Sequence, residues 1–172
     1  TQLLESLIGE GVVLKNYSIT KTSSDEAFGL FEDSKERLGM KKGLVMSTGG
    51  VIALSSKNSS PSMSNNTHAR AEKRVGAKKP EGEPCLEALV DNQKTFDACV
   101  LEFDLVPTAD TLSFNYVFGS EEYDEFVGSN YNDVFAFLIN GPGIEKPSNL
   151  ALVPNTNIPV SVNTINNGSS SG

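Results

Sequence analysis

Residues 99–106, CVLEFDLV, and 111–118, TLSFNYVF, decide the fold class. In the first stretch Cys99, Leu101, Phe103 and Leu105 alternate with Val100, Glu102 and Asp104; in the second Leu112, Phe114, Tyr116 and Phe118 recur at the same period. Successive side chains of an extended chain point to opposite faces, so each stretch has one core-facing and one wet face. Pro107–Asp110, PTAD, is turn chemistry, and the two strands are expected to pair as a hairpin.

The same reading extends along the chain. Val12–Ile19 and Lys42–Thr48 read as strands, the second closed by Gly49 and Gly50. Residues 133–139, DVFAFLI, form a near-continuous apolar run that predicts a central strand covered on both faces and ended by Asn140–Gly143. NLALVP and IPVSVNTI follow as short strands, and the terminal NNGSSSG is loop chemistry. Residues 2–8, QLLESLI, place Leu3, Leu4, Leu7 and Ile8 on one helical face, and Cys85–Val90 reads as a short helix. The expectation is an all-β protein, a β-sandwich with short peripheral helices. A chain of 172 residues, 38% hydrophobic, is long enough for one domain with its own core and too short to argue for two. Residues 55–84 are a polar insert carrying Arg70, Lys73, Arg74, Lys78 and Lys79, read as a solvated loop.

Charge singles out one segment. Net charge is -8, and no Lys or Arg occurs between Thr95 and Glu145, while Asp97, Glu102, Asp104, Asp110, Glu121, Glu122, Asp124, Glu125, Asp133 and Glu145 are all acidic. That balance argues against nucleic acid and anionic membrane surfaces as partners. Five of the acids, Glu121, Glu122, Asp124, Glu125 and Asp133, lie in or beside one loop, FGSEEYDEFVGSNYND, which also supplies oxygens from Ser120, Ser129, Asn130 and Asn132. A hard cation suits such a set: Ca2+ takes about 6–8 oxygen ligands from carboxylates, amides, carbonyls and water. Tyr123, Phe126, Val127 and Tyr131 interleave the acids and imply a packed loop whose charges need compensation. The spacing is not that of an EF-hand, so an acidic solvated loop is the bland alternative.

Other chemistries find less support. Glu121 or Glu122 with Asp133 could act as the acid and base of a glycoside hydrolase, but adjacent residues of an extended segment face opposite ways, which weakens a Glu121–Glu122 dyad. His68 is the sole histidine and stands in the polar insert, with no nucleophile elbow, P-loop or dinucleotide fingerprint elsewhere. The sequons at Asn16, Asn58, Asn65 and Asn167 mark surface loops at most. No run reaches the roughly 18 apolar residues that span a bilayer, so no direct membrane insertion is expected, and Thr1–Gly11 lacks the pattern of a signal peptide. Cys85 and Cys99 are the only cysteines; their spacing suits one small disulfide loop in an oxidising compartment, or two free thiols that pack as small apolar groups.

Several segments together resemble the bacterial choice-of-anchor L domain: LLESLIGEGVVLKNYSIT, KKGLVMSTG, FDACVLEFDLVPTADTLSFNYVFGSEEYDEFVGSNYNDVFAFLINGPG and NLALVPNTNIPVSVNTINNG. The likeness spans nearly the whole chain, weakest at the insert, and its most specific element is FGSEEYDEFVGSNYNDVFAF. It implies a module of secreted or surface-anchored bacterial proteins, similar to the calcium-dependent peptide-binding domains of large adhesins. Carried onto this sequence, the implied metal-side residues are Glu121, Glu122, Asp124, Glu125, Asn130, Asn132 and Asp133; Ser120, Tyr123, Ser129 and Tyr131 are the expected ligand contacts. The implied cofactor is Ca2+, the partner a peptide or protein on a target surface, the setting extracellular, and the role binding rather than catalysis. A module that keeps Ca2+ purely as a staple is the alternative. Family members continue past the VNTINNG segment into further strands, so the resemblance implies that the sandwich lacks its C-terminal strands here, the chain being a fragment or a second chain or cleaved fragment completing it.

Overall fold

The computed structural model describes residues 2–9, 11–21, 26–55, 57, 82–123 and 126–165. These form an all-β fold with short helical turns. Three two-stranded antiparallel sheets carry it: β1 (Val12–Lys21) with β4 (Val100–Pro107), β2 (Phe28–Glu32) with β3 (Lys42–Met46), and β5 (Leu138–Gly141) with β6 (Ile144–Asn149). The helical pieces are α1 (Gln2–Glu5), a 3-10 turn at Val51–Ser55 and α2 (Pro84–Glu87), which starts on a proline and is capped by the Glu83 carboxylate accepting from the Cys85 amide. Contacts group the described residues into two compact units, one holding those up to 57 with 96–117, the other 82–95 with 118–165.

In the first unit β4 keeps the alternation read from its sequence: Leu101, Phe103 and Leu105 are half-buried, while Glu102, Asp104 and Val106 are exposed. Its partner is β1 and not residues 111–118, so the expected hairpin does not form. Thr108 donates its amide to the Gly11 carbonyl, which carries the pairing with β1 on past Pro107. Residues 111–118 retain the alternating burial but join no ladder among the described residues.

The apolar residues of β1 fall at 12, 13, 14, 17 and 19, and those at 12 and 14 differ in parity from those at 17 and 19, which a regular strand could not place on one face. A bulge resolves it. Leu14 pairs with Leu105 but Asn16 pairs with Asp104, leaving Lys15 unmatched. Val12, Leu14, Tyr17 and Ile19 therefore share a face with Leu105, Phe103 and Leu101, while Asn16 and Ser18 sit opposite Asp104 and Glu102 on the wet face. There Asn16 donates its side-chain amide to Asp104 Oδ2 at 2.8 Å.

β2 was not foreseen from the sequence, where Gly29 interrupts a five-residue run; its register with β3 places Gly43 under the Phe31 ring, whose Cε1 stands 2.7 Å from where a Cβ would be. The turn between them closes on Asp33, which accepts the amides of Lys35 at 3.2 Å and Leu38 at 3.0 Å and lies 3.6 Å from Arg37 Nε. The Leu38 hydrogen bond is the main cause holding this carboxyl below its ordinary value of 3.8. Cys99 donates its thiol to the Ser47 carbonyl at 2.9 Å, and Cys85 is exposed; both are free thiols, so the disulfide reading of the pair is corrected.

In the second unit the run at 133–139 is not one central strand. Only Leu138–Gly141 makes a regular ladder, turning back through Pro142 and Gly143 into β6. Residues 133–137 are half-buried throughout and pair locally with the chain end: Val162 donates to the Asp133 carbonyl, Phe135 to that of Val160, and Val134 bridges Ser161. A second tight return joins 151–153 to 158–160, with Val160 donating to Ala151 and Val153 to Ile158, and Asn155 at its tip at φ 62. Val90, Val127, Ala151, Val160 and Val162 are the buried apolar side chains of this unit. His68, Asn58, Asn65, Asn167 and the basic cluster from Arg70 to Lys79 lie outside the described residues.

Candidate functional site

The acidic loop and the segment that carries it both belong to the second unit. Ser120 organises its entrance: the hydroxyl donates to Asp133 Oδ2 at 2.7 Å and accepts the Glu122 amide at 3.2 Å. The short first distance is that of a charge-assisted hydrogen bond. Asp133 is thereby held twice, through its carboxylate by Ser120 and through its carbonyl by the Val162 amide.

Around that carboxylate the loop gathers Glu121 and Tyr123. Burial pushes the Glu121 carboxyl above its ordinary value of 4.5, and the neighbouring Asp133 charge adds to the effect. The same two causes, in the same order, raise the Tyr123 phenol above 10.0. The Tyr123 hydroxyl is itself buried and has no hydrogen-bond partner among the described residues. An unsatisfied buried hydroxyl costs about 1–3 kcal/mol, so such a group normally faces a water, ion or ligand.

Local contacts hold residues 126–131. Glu122 accepts the Phe126 amide at 3.1 Å and Phe126 accepts that of Ser129 at 3.0 Å. The Phe126 and Tyr131 rings meet edge to face with centroids 5.1 Å apart, and Val127 is buried. Gly128 adopts φ +81, a left-handed conformation that side-chain-bearing residues rarely take.

Of the residues expected to form the site, Ser120, Glu121, Tyr123 and Asp133 are brought together. Asn132 is not with them: its Oδ1 accepts the Asn163 amide at 3.0 Å, a loop-holding role. Ser129 accepts the Tyr131 amide through its hydroxyl, Asn130 is exposed, and Tyr131 is 62% exposed. Glu122 is half-buried, while Asp124 and Glu125 lie outside the described residues. Among the described residues, no three His, Cys, Asp or Glu side chains gather closely enough to hold a metal ion. The donor chemistry, all oxygen, fits a hard cation, but with Glu121 and Asp133 as its two carboxylates it would have to be completed by hydroxyl, carbonyl or water oxygens.

Sequence reasoning missed Asn163. It reaches back to Gly128, Ser129 and Asn132 across more than thirty residues, and a single asparagine within NTINN gives no pattern by which to foresee this.

The family model described as Choice-of-anchor L domain matches residues 1–172, the whole chain. The protein belongs to the choice-of-anchor L family. One family model thus runs through both units of this choice-of-anchor L domain, the polar insert included. Membership suggests a module of a cell-surface or secreted protein; no described helix is long and apolar enough to cross a membrane. Neither the curated proteins nor the solved structures offer a match to this choice-of-anchor L domain.

Proposed function

We propose that this choice-of-anchor L domain is a calcium-dependent adhesion module, displayed outside a bacterial cell, that binds a peptide or protein on a target surface and has no catalytic role. The observation that carries the reading is the Glu121–Asp133 pair around the buried Tyr123 hydroxyl, which has no hydrogen-bond partner among the described residues, inside a stretch of some fifty residues without a Lys or Arg. Two carboxylates driven together with no basic side chain nearby in sequence are a site in want of positive charge. Glu121 and Asp133 would hold the ion, with Ser120 and Tyr123 beside them; Ca2+ would supply positive charge and open coordination positions for an anionic group such as a peptide C-terminal carboxylate. The exposed Tyr131 ring, braced on Phe126, offers an apolar surface on the same loop.

Capturing C-terminal carboxylate peptides from a random library, with Ca2+ and with a chelator, tests the reading. Calcium-dependent enrichment is expected; equal capture in both conditions removes the ion from the mechanism. Ca2+ stabilisation without any captured peptide would leave a structural staple.

One observation favours a second reading. A carboxyl raised by burial beside an ionised partner is also what a glycosidase acid requires, so Glu121 with Asp133 could act on a glycan. Release of reducing sugar from a polysaccharide panel, lost in Glu121→Gln, would replace the binding proposal.

A further inference from the structure

The segment 128–133 is tied to the chain end by one side chain. Asn163 Oδ1 accepts the Gly128 amide at 2.7 Å, its Nδ2 donates to the Ser129 carbonyl at 3.4 Å, and its own amide donates to Asn132 Oδ1 at 3.0 Å. The Asn163 side chain thus offers the donor to a carbonyl and the acceptor to an amide from two separate atoms of one planar carboxamide. Its position is set from behind. Thr164 Oγ1 accepts the Ser161 amide at 2.9 Å and donates toward the Pro159 carbonyl at 2.6 Å, which builds a tight turn after the buried Val160–Val162 segment. From that same segment the Val162 amide holds the Asp133 carbonyl.

Asn163 therefore grips one side of the loop while its neighbour Val162 fixes Asp133 at the other. Gly128 needs this grip most, because it is exposed, sits at φ +81 and has its amide bonded to the Asn163 side chain. We infer that Asn163 is the positioning residue of the acidic loop, holding Gly128–Asn132 so that Asp133 and Glu121 meet at one place. The inference rests on the binding reading above for what the loop does, but not for the clamp itself.

The test uses the 172-residue chain and Ca2+ alone as the probe. Amide hydrogen exchange at Gly128 is measured in the metal-free protein for wild type, Asn163→Ala and Asn163→Asp, and Ca2+ affinity is then measured for each. Asn163→Asp keeps the acceptor for Gly128 and loses the donor to Ser129. Val90→Ala serves as a control that weakens the buried core of the same unit without touching the clamp. Groups that orient metal ligands typically change affinity by about 10–100-fold when removed, so Asn163→Ala should weaken Ca2+ at least about tenfold, Asn163→Asp less, and Val90→Ala by under about twofold. Gly128 exchange should accelerate in Asn163→Ala and stay slow in Asn163→Asp. Unchanged Gly128 exchange in Asn163→Ala overturns the clamp, and an affinity loss in Val90→Ala equal to that in Asn163→Ala overturns the positioning role. Accelerated exchange in a protein whose wild type binds no Ca2+ would uphold the clamp and sink the binding reading instead.

Discussion

Replacing Ser120 with alanine removes one hydroxyl and two hydrogen bonds at once. The bond to Asp133 Oδ2, at 2.7 Å, has an ionised acceptor, and such bonds contribute about 1.5–3 kcal/mol net. The site is half-buried, which favours the lower end of that range. The Glu122 amide, at 3.2 Å from the same hydroxyl, contributes a neutral bond of about 0.5 kcal/mol. Together these predict a loss of about 2 kcal/mol in the metal-free protein. For a chain of 172 residues, 1 kcal/mol moves the midpoint by about 2–4 °C, so the expected shift is about 4–8 °C downward. The protein contains no tryptophan and only four tyrosines, so tyrosine emission, to which Tyr123 contributes directly, reports the transition of this region. Ser120→Thr, which keeps the hydroxyl, should melt close to wild type. A Ser120→Ala protein whose stability lies within about 0.5 kcal/mol of wild type would refute the view that Asp133 is held by this contact.

Two further outcomes follow from the titrating groups. Glu121 is raised in the folded state, so its contribution to stability is fully present below 4.5 and is lost as pH rises through the folded value; without Ca2+, Glu121→Gln should therefore exceed wild type in stability at neutral pH and lose that advantage below 4.5, as read by urea melts at a series of pH values. Asp33 is lowered, so its contribution is present above 3.8 and disappears as pH falls through the folded value; Asp33→Asn should be less stable than wild type at neutral pH, with the gap closing in acid, and a pH-independent gap would show that the charge on Asp33 is immaterial.

A strand whose apolar residues keep a strict period was legible in the sequence, as β4 shows, and so was β3, a short apolar run closed by Gly49 and Gly50. The pairing was not. The alternation in 111–118 is as regular as that in 99–106, yet partner choice was settled by β1, whose match to β4 depends on the bulge at Lys15; the parity change within β1 does not name the partner strand. In the same way the apolar run at 133–139 identifies a buried segment but cannot tell one long strand from a short ladder joined to scattered bridges. At the site, the density of acids around residue 121 singled out the loop, because charge without countercharge is visible in composition. Which acids meet depends on contacts distant in sequence: Asp133 reaches Ser120 thirteen residues away, and Asn132 is drawn away to Asn163, thirty-one residues on.

The central claim, that Glu121 and Asp133 converge as a place for a divalent cation, is tested most directly by calorimetric titration of Ca2+ into the chelator-treated protein alongside Asp133→Asn. The account predicts a saturable isotherm for wild type that Asp133→Asn flattens. A flat wild-type trace, or a variant that binds as tightly as wild type, would contradict it.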